Sequence, residues 1–286
     1  MENNLNLSDI IFNSINELLK KLFSSIDSSI YSVLDNLAFI DNSILSNSYF
    51  QKILGTNNTE GLLLVCNSLV FGIILYYAIS FLFSHLTYSK TDSPKQFVFK
   101  AIIFIVFMNS SLWICEQIIN LISLITSSIL DLGIYLFNSQ VSFSSFLNNI
   151  NSSIYLNTEL NVFSFDGIIK SFTSFGFINL IFTYSLRYIM TQIFILLSPF
   201  AFLCLISNSS EWFFKVWLKS FLSLLLVQIL IALLLLLSFS IPINSYSNIL
   251  YIGIVYALTR ANSFVKELFG GISTTINSGL STLSDK

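Results

Sequence analysis

The chain is poor in charged residues, and this shortage decides its class. Only 10% of its 286 residues are Asp, Glu, Lys or Arg, whereas about 25% are charged in typical soluble domains. Apolar types make up 54% of the chain and include 29 Phe, so a water-soluble globule of this length would lack the polar surface that covers a core. The composition therefore predicts an all-α, polytopic membrane protein.

Residues that carry catalysis or bind metals are also scarce. His85 is the only histidine, and Cys66, Cys115 and Cys204 form no Cys-x-x-Cys pair. This set predicts neither a metal centre nor a disulfide framework, and we interpret the cysteines as small buried hydrophobic residues. No Gly-Lys pair occurs in the sequence, which excludes the phosphate-binding P-loop. We expect a protein that is not an enzyme, with no catalytic, cofactor-binding or metal-binding residues and no cofactor.

Long apolar segments predict the transmembrane helices. A helix needs about 20 apolar residues to cross the hydrocarbon, and about five segments approach this length. We expect spans near 61–84, 97–115, 188–206, 221–238 and 246–265, which together form a transmembrane domain at 61–265. The stretch 116–187 is then an outer loop and 266–286 a cytoplasmic tail. Two alternatives stay open, since 118–136 or 167–187 can itself be a span.

The distribution of basic residues orients these spans. The loops near 85–100 and 207–219 and the tail from Arg260 hold about twice as many basic as acidic residues, whereas acidic residues outnumber basic ones about twofold in the rest of the chain. Lys and Arg near span ends mark the cytoplasmic side. We therefore expect the N-terminus outside and the C-terminus in the cytoplasm of a bacterial cell membrane.

Residues 1–60 are expected to form an extracytoplasmic, amphipathic helical segment. Apolar residues recur every three or four positions from Ile11 to Leu37, which is the spacing of one helical face. This helix would lie on the outer leaflet or against a partner subunit. The alternative interpretation, which the sequence supports equally, is that this helix covers the chain's own membrane domain.

Arg187, Pro199 and Gln228 are the candidate assembly or channel residues. An ionisable residue at membrane depth is costly and indicates function by default, and we place Arg187 at the outer mouth of the span at 188–206. Its guanidinium keeps its proton, so it must meet a carboxylate, a phosphate or carbonyl groups. Gln228 is expected to hydrogen-bond across helices, and Pro199 to kink its span.

One block of the sequence carries a family resemblance. It consists of Arg187-Tyr188, then Leu-Ser-Pro-Phe-Ala-Phe at 197–202, then Glu-Trp-Phe-Phe-Lys-Val-Trp-Leu-Lys at 211–219, and then a Leu-rich span that contains Gln228. In this order the block resembles the TrbL family, the polytopic inner-membrane channel subunits of type IV secretion systems. The match covers about residues 165–270.

The resemblance implies a non-enzymatic channel or scaffold subunit of a type IV secretion or conjugative DNA-transfer apparatus. Such a subunit would be homo-oligomeric in the bilayer and would contact other membrane subunits and cytoplasmic ATPases. It would also make transient contact with transferred DNA or protein. The residues of the partner loop on the cytoplasmic side would be Trp212, Lys215, Trp217 and Lys219. The alternatives are a solute transporter or permease subunit and a small phage-associated membrane protein.

Overall fold

The structure is a computed structural model. It describes residues 11, 13–18, 21, 33–55, 61–87, 93–154, 165–207, 210–242 and 247–269. The regular secondary structure in these ranges is helical, and they contain no β-strand. The expected all-α class is therefore confirmed for the described part of the chain.

Short helical stretches at 13–18 and 33–38 and a 3-10 turn at Asn42–Leu45 precede the longer helices. The helices that follow are α1 (Ser48–Leu54), α2 (Leu62–Thr87), α3 (Pro94–Asn109), α4 (Ser111–Phe137), α5 (Phe143–Ile154), α6 (Phe165–Leu196), α7 (Ser198–Leu203), α8 (Glu211–Phe239) and α9 (Ser247–Phe269).

Among the described residues, three helical segments are long and apolar enough to cross a membrane. They are Leu62–Ser84 in α2, Ser111–Phe137 in α4 and Glu211–Phe239 in α8, with mean hydropathies of 2.3, 1.7 and 2.8. The first and third contain the expected spans near 61–84 and 221–238. The length and the apolar composition of these helices support the prediction of a membrane protein.

The expected span at 97–115 is divided between two helices. Ser110 leaves helical geometry, with φ −92° and ψ 7°, so α3 ends at Asn109 and α4 begins at Ser111. Asn and Ser side chains compete for backbone hydrogen bonds and favour such breaks. Helix α4 then runs through 118–136, one of the two segments whose placement stayed open. The expected outer loop at 116–187 is therefore largely helical.

Helix α6 is continuous through Arg187, which was expected to open a span at 188–206. It ends at Leu196, and Pro199 lies in the first turn of α7. A proline costs little there, because the first turn of a helix has N–H groups without intrahelical partners. Where a kink was expected from Pro199, the structure has a helix break at Leu197, and Pro199 lies at the start of the next helix.

Two buried apolar clusters form the core, and α8 contributes to both. One cluster joins α5, α6, α8 and α9 and includes Ile231. The other joins α2, α3, α4, α7, α8 and the end of α6 and includes Phe221. Because α8 is covered on several sides, it is the most enclosed of the three apolar helices.

Helices α6 and α9 lie side by side, and their residue numbers rise in the same direction. A Cβ atom on Gly176 would lie 2.5 Å from Cγ1 of Val255, and the Tyr184 hydroxyl donates a hydrogen bond to the Leu258 carbonyl at 3.3 Å. Arg187 comes one turn after Tyr184, and Arg260 comes two residues after Leu258. The sequence placed Arg187 at the outer surface and Arg260 at the cytoplasmic end of a span, and these two placements cannot both hold.

Candidate functional site

Arg187 is a fully buried cation at the centre of the described helices. None of its surface is exposed, because its side chain leaves α6 on the face opposite the exposed residues Phe182, Leu186 and Ile189. Nη2 donates hydrogen bonds to two backbone carbonyls, that of Leu37 at 3.0 Å and that of Ala38. Its partners are therefore carbonyl groups of the N-terminal region, one of the three kinds of acceptor considered from the sequence.

These two carbonyls belong to the end of the helical stretch at 33–38. The last carbonyls of a helix have no intrahelical donor and need another partner. Arg187 supplies that partner from 150 residues further along the chain. The guanidinium also lies 5.4 Å from the ring centroid of Tyr184, which is within the range of a cation–π interaction.

Gln228 on α8 binds the same region from another side. The side chain is buried, and its Oε1 accepts a hydrogen bond from the N–H of Ile40 at 3.0 Å. Gln228 was expected to bond across helices. In the structure it bonds to the backbone just after a helix end, and it satisfies an N–H that no helix would pair.

Asp35 makes a third contact between the N-terminal segment and the helices. Its Oδ1 accepts a hydrogen bond from the N–H of Phe143 at 2.9 Å, at the first turn of α5. A carboxylate suits this position, because the first N–H groups of a helix lack partners and carry a partial positive charge. Burial raises the pKa of Asp35, while the N–H groups of Phe143 and Ser144 oppose that rise.

Apolar contacts reinforce these polar ones. Leu34 and Ala38 belong to the cluster around α5, α6, α8 and α9, whereas Ile40 and Ile44 belong to the cluster around α2, α3, α4 and α7. Residues 33–45 therefore lie between the two clusters. We call the arrangement of Asp35, Arg187 and Gln228 around residues 35–40 the N-terminal clamp.

The N-terminal clamp changes the expectation for residues 1–60. A continuous amphipathic helix was expected from Ile11 to Leu37, but much of that range lies outside the described residues. The described part at 33–45 leaves the helix after residue 38 and inserts into the core. Ile11, Ile15 and Leu18, on the expected apolar face, are exposed.

Part of the clamp is not saturated by hydrogen bonds. Nε and Nη1 of Arg187 and Nε2 of Gln228 are buried and have no partner among the described residues. Arg187 forms no ion pair with a carboxylate in the described part of the chain. A buried cation without a counter-ion costs free energy, and its two carbonyl bonds offset only part of that cost. The hydrogen bonds given above for Asp35, Arg187 and Gln228 all join a side chain to a backbone group, so the site binds and positions the main chain.

The second group of expected residues lies in the first three turns of α8 and not in a loop. Trp212 is 64% exposed, and Lys215 and Lys219 are exposed one turn apart. Lys215 forms a 2.9 Å ion pair with Glu211. The lysines thus form an accessible basic edge on a helix.

Trp217 belongs to the core and not to this exposed edge. Its Nε1 donates a hydrogen bond to the Phe194 carbonyl at 2.8 Å. Its ring lies 5.7 Å from that of Phe202 and 5.5 Å from that of Phe221, measured between centroids. The Trp217 side chain is therefore not on the accessible edge, and its expected role toward a partner stays a prediction. Pro199 is buried in the short helix that also holds Phe202.

Asp35 and Tyr184 are the site residues that the sequence did not indicate. No pattern in the sequence marks these residues, because their backbone partners lie 108 and 74 positions away. Within the described ranges, no group of three His, Cys, Asp or Glu side chains is placed to hold a metal ion. Comparison of the chain with known protein families, curated proteins and solved structures gave no match.

Proposed function

We propose that the chain is a non-enzymatic scaffold or channel subunit of a type IV secretion or conjugative DNA-transfer apparatus in the bacterial cell membrane. In this proposal it assembles with copies of itself, with other membrane subunits and with cytoplasmic ATPases. The proposal starts from the resemblance of the block at 187–228 to the TrbL family.

The observation that carries the proposal is that polar side chains of this block bind backbone groups of the same chain. Arg187 and Gln228 hold the chain's own N-terminal segment, and Trp217 holds the backbone at Phe194. Residues used in this way stabilise a helical scaffold. A transporter would instead be expected to direct its buried polar groups toward a solute site at the midplane of the membrane.

The exposed edge at Lys215 and Lys219 is the surface proposed for cytoplasmic partners. Both side chains are free of the core, and one is bound only by an exposed ion pair to Glu211. Exposed pairs of this kind contribute little to stability. The basic edge can therefore exchange its intramolecular partner for an acidic surface on another protein.

The test is a mating assay in a strain that lacks the gene, complemented with the full chain or with variants. The proposal expects no transfer without the chain, restored transfer with it, and co-purification of other secretion subunits and an ATPase. Arg187→Leu is expected to impair assembly or transfer, while Lys52→Leu, which removes an exposed cation, serves as the control. Normal transfer in the strain without the chain would refute the proposal, and loss of uptake of a solute would favour a permease subunit.

A further inference from the structure

A groove runs between α6 and α9 on the surface of the described helices. Its volume is about 410 Å³, which falls within the range of about 300–1,000 Å³ typical of small-molecule sites. Gly176 lines it, and the missing side chain at this position lets α6 approach Val255 on α9 closely. The groove is separate from the N-terminal clamp, because Arg187, the clamp residue on α6, lies on the buried face of that helix.

The groove changes character along its length. Phe172 and Phe175 on α6 and Ile252 on α9 line one end, whereas Thr183, Thr259 and Arg260 line the other. Because residue numbers rise in the same direction along both helices, the apolar lining comes first and the cationic lining last. A ligand that fills the groove must therefore be apolar at one end and anionic at the other.

Two side chains at or next to the polar end, those of Arg260 and Asn179, carry N–H donors. The hydroxyls of Thr183 and Thr259 donate to carbonyls of their own helices, at 2.8 and 2.7 Å. The Arg260 guanidinium lies 5.6 Å from the ring centroid of Tyr256. The side-chain nitrogens of Arg260 and Asn179 make no hydrogen bond or ion pair with the described part of the chain. An acceptor-only anion suits this pair of donors.

We propose that this groove binds an anionic phospholipid from the surrounding membrane. Its phosphate accepts hydrogen bonds from the guanidinium of Arg260, whose planar geometry matches two phosphate oxygens, and from the amide of Asn179. One acyl chain lies along Phe172, Phe175 and Ile252. A free phosphate would satisfy only the polar end and would leave the aromatic end uncovered, so the amphipathic lining favours a lipid.

The experiment is native mass spectrometry of the full chain released from nanodiscs that contain phosphatidylglycerol and phosphatidylcholine. The parent is expected to retain phosphatidylglycerol preferentially, and Arg260→Gln to reduce that retention about tenfold without changing retention of phosphatidylcholine. Lys266→Gln, which removes an exposed cation on the same helix outside the groove, is the matched control and is expected to retain lipid like the parent. Asn179→Phe fills the groove and is expected to reduce retention as Arg260→Gln does.

Each other result has a definite meaning. Equal losses from Arg260→Gln and Lys266→Gln would show general surface electrostatics and would overturn the site. Unchanged retention in Arg260→Gln would also overturn it, provided that circular dichroism shows the parent's helix content. Displacement of the lipid by inorganic phosphate alone would show a phosphate site rather than a lipid site. A dimer in the parent that Arg260→Gln separates, with no retained lipid, would make the groove a contact between two copies and refute the proposal.

Discussion

Replacing Arg187 and Gln228 by leucine, singly and together, tests whether they hold one segment as a unit. Arg187→Leu leaves the carbonyls of Leu37 and Ala38 without their donor, and Gln228→Leu leaves the N–H of Ile40 without its acceptor. A buried polar group that loses its partner costs about 1–3 kcal/mol. These side chains therefore set the free energy of releasing residues 37–40 from the core.

The two single changes differ in their expected size. Gln228→Leu exposes one unsatisfied group and is expected to destabilise the protein by about 1–3 kcal/mol. Arg187→Leu creates two such groups, but it also removes a buried cation whose desolvation is unfavourable. We expect a net loss of about 2–4 kcal/mol for Arg187→Leu, because two of its nitrogens already lack partners and their removal returns part of the cost.

The double variant is expected to lose less than the sum of the single variants. Once one side chain has released residues 37–40, the other has little left to hold, so we expect a coupling of about 1–2 kcal/mol. As a control, Trp217→Phe removes the bond to Phe194 at 2.8 Å and is expected to add to Gln228→Leu within about 0.5 kcal/mol, since the two sites share no partner.

The measurement is equilibrium unfolding in mixed detergent micelles, followed by circular dichroism. Hydrogen exchange of peptides that cover 33–45 gives a second, local readout, and both single variants should speed exchange there more than elsewhere. Additive losses for Arg187→Leu and Gln228→Leu, with unchanged exchange at 33–45, would refute the idea that the N-terminal clamp acts as a unit.

Three further predictions use the same unfolding assay or the mating assay. Asp35→Asn should make stability less dependent on pH. Burial raises the folded-state pKa of Asp35 above its ordinary value of 3.8, so the contribution of Asp35 is complete below that ordinary value and is lost as pH rises through the folded-state pKa. An unchanged dependence of stability on pH in the variant would contradict this. Gly133→Ala should destabilise the protein by about 1–3 kcal/mol, because the new Cβ would lie 2.0 Å from Cγ2 of Val141. Gly72→Ala is the control and should not destabilise it, because no atom lies within 4 Å of the new Cβ. Equal effects of the two changes would refute this explanation. The double variant Lys215→Glu, Lys219→Glu should abolish transfer in the mating assay while membrane insertion and stability stay near the parent's, and unchanged transfer would exclude the edge as a partner surface.

Composition and apolar runs predicted the class of the fold better than its helix bounds. The apolar stretches at 61–84 and 221–238 carry no interruption, and each lies within one long helix. The break at Ser110 was not predicted, because a single serine there does not differ from serines inside helices. Near Leu197 a kink was expected from Pro199, but the structure divides the segment into two helices. Their positions depend on packing between helices that are distant in sequence.

The candidate site shows why the sequence indicated the polar side chains of the site but not the groups that they bind. Arg187 and Gln228 are visible as polar residues in an apolar context, and both are buried. Their partners are main-chain atoms of Leu37, Ala38 and Ile40, which every residue type supplies. A sequence can therefore mark the polar side chain, while only the fold shows which backbone groups it serves.

The parallel arrangement of α6 and α9 leads to a last prediction, about depth in the membrane. Tyr184 and Leu258 are joined by a hydrogen bond, so Leu186 and Tyr256, both exposed near that contact, should lie at similar depths if both helices are embedded. The expected five-span topology instead put Arg187 and Arg260 near opposite surfaces, about 30 Å apart. Spin labels on Leu186→Cys and Tyr256→Cys, in a background without the native cysteines, should give similar accessibility to oxygen and to a polar relaxation agent. Ile249→Cys, near the start of α9 and about two and a half helical turns before the contact with Tyr184, is the comparison at a different depth. Opposite accessibilities at 186 and 256 would contradict the parallel placement and would restore the outer position of Arg187.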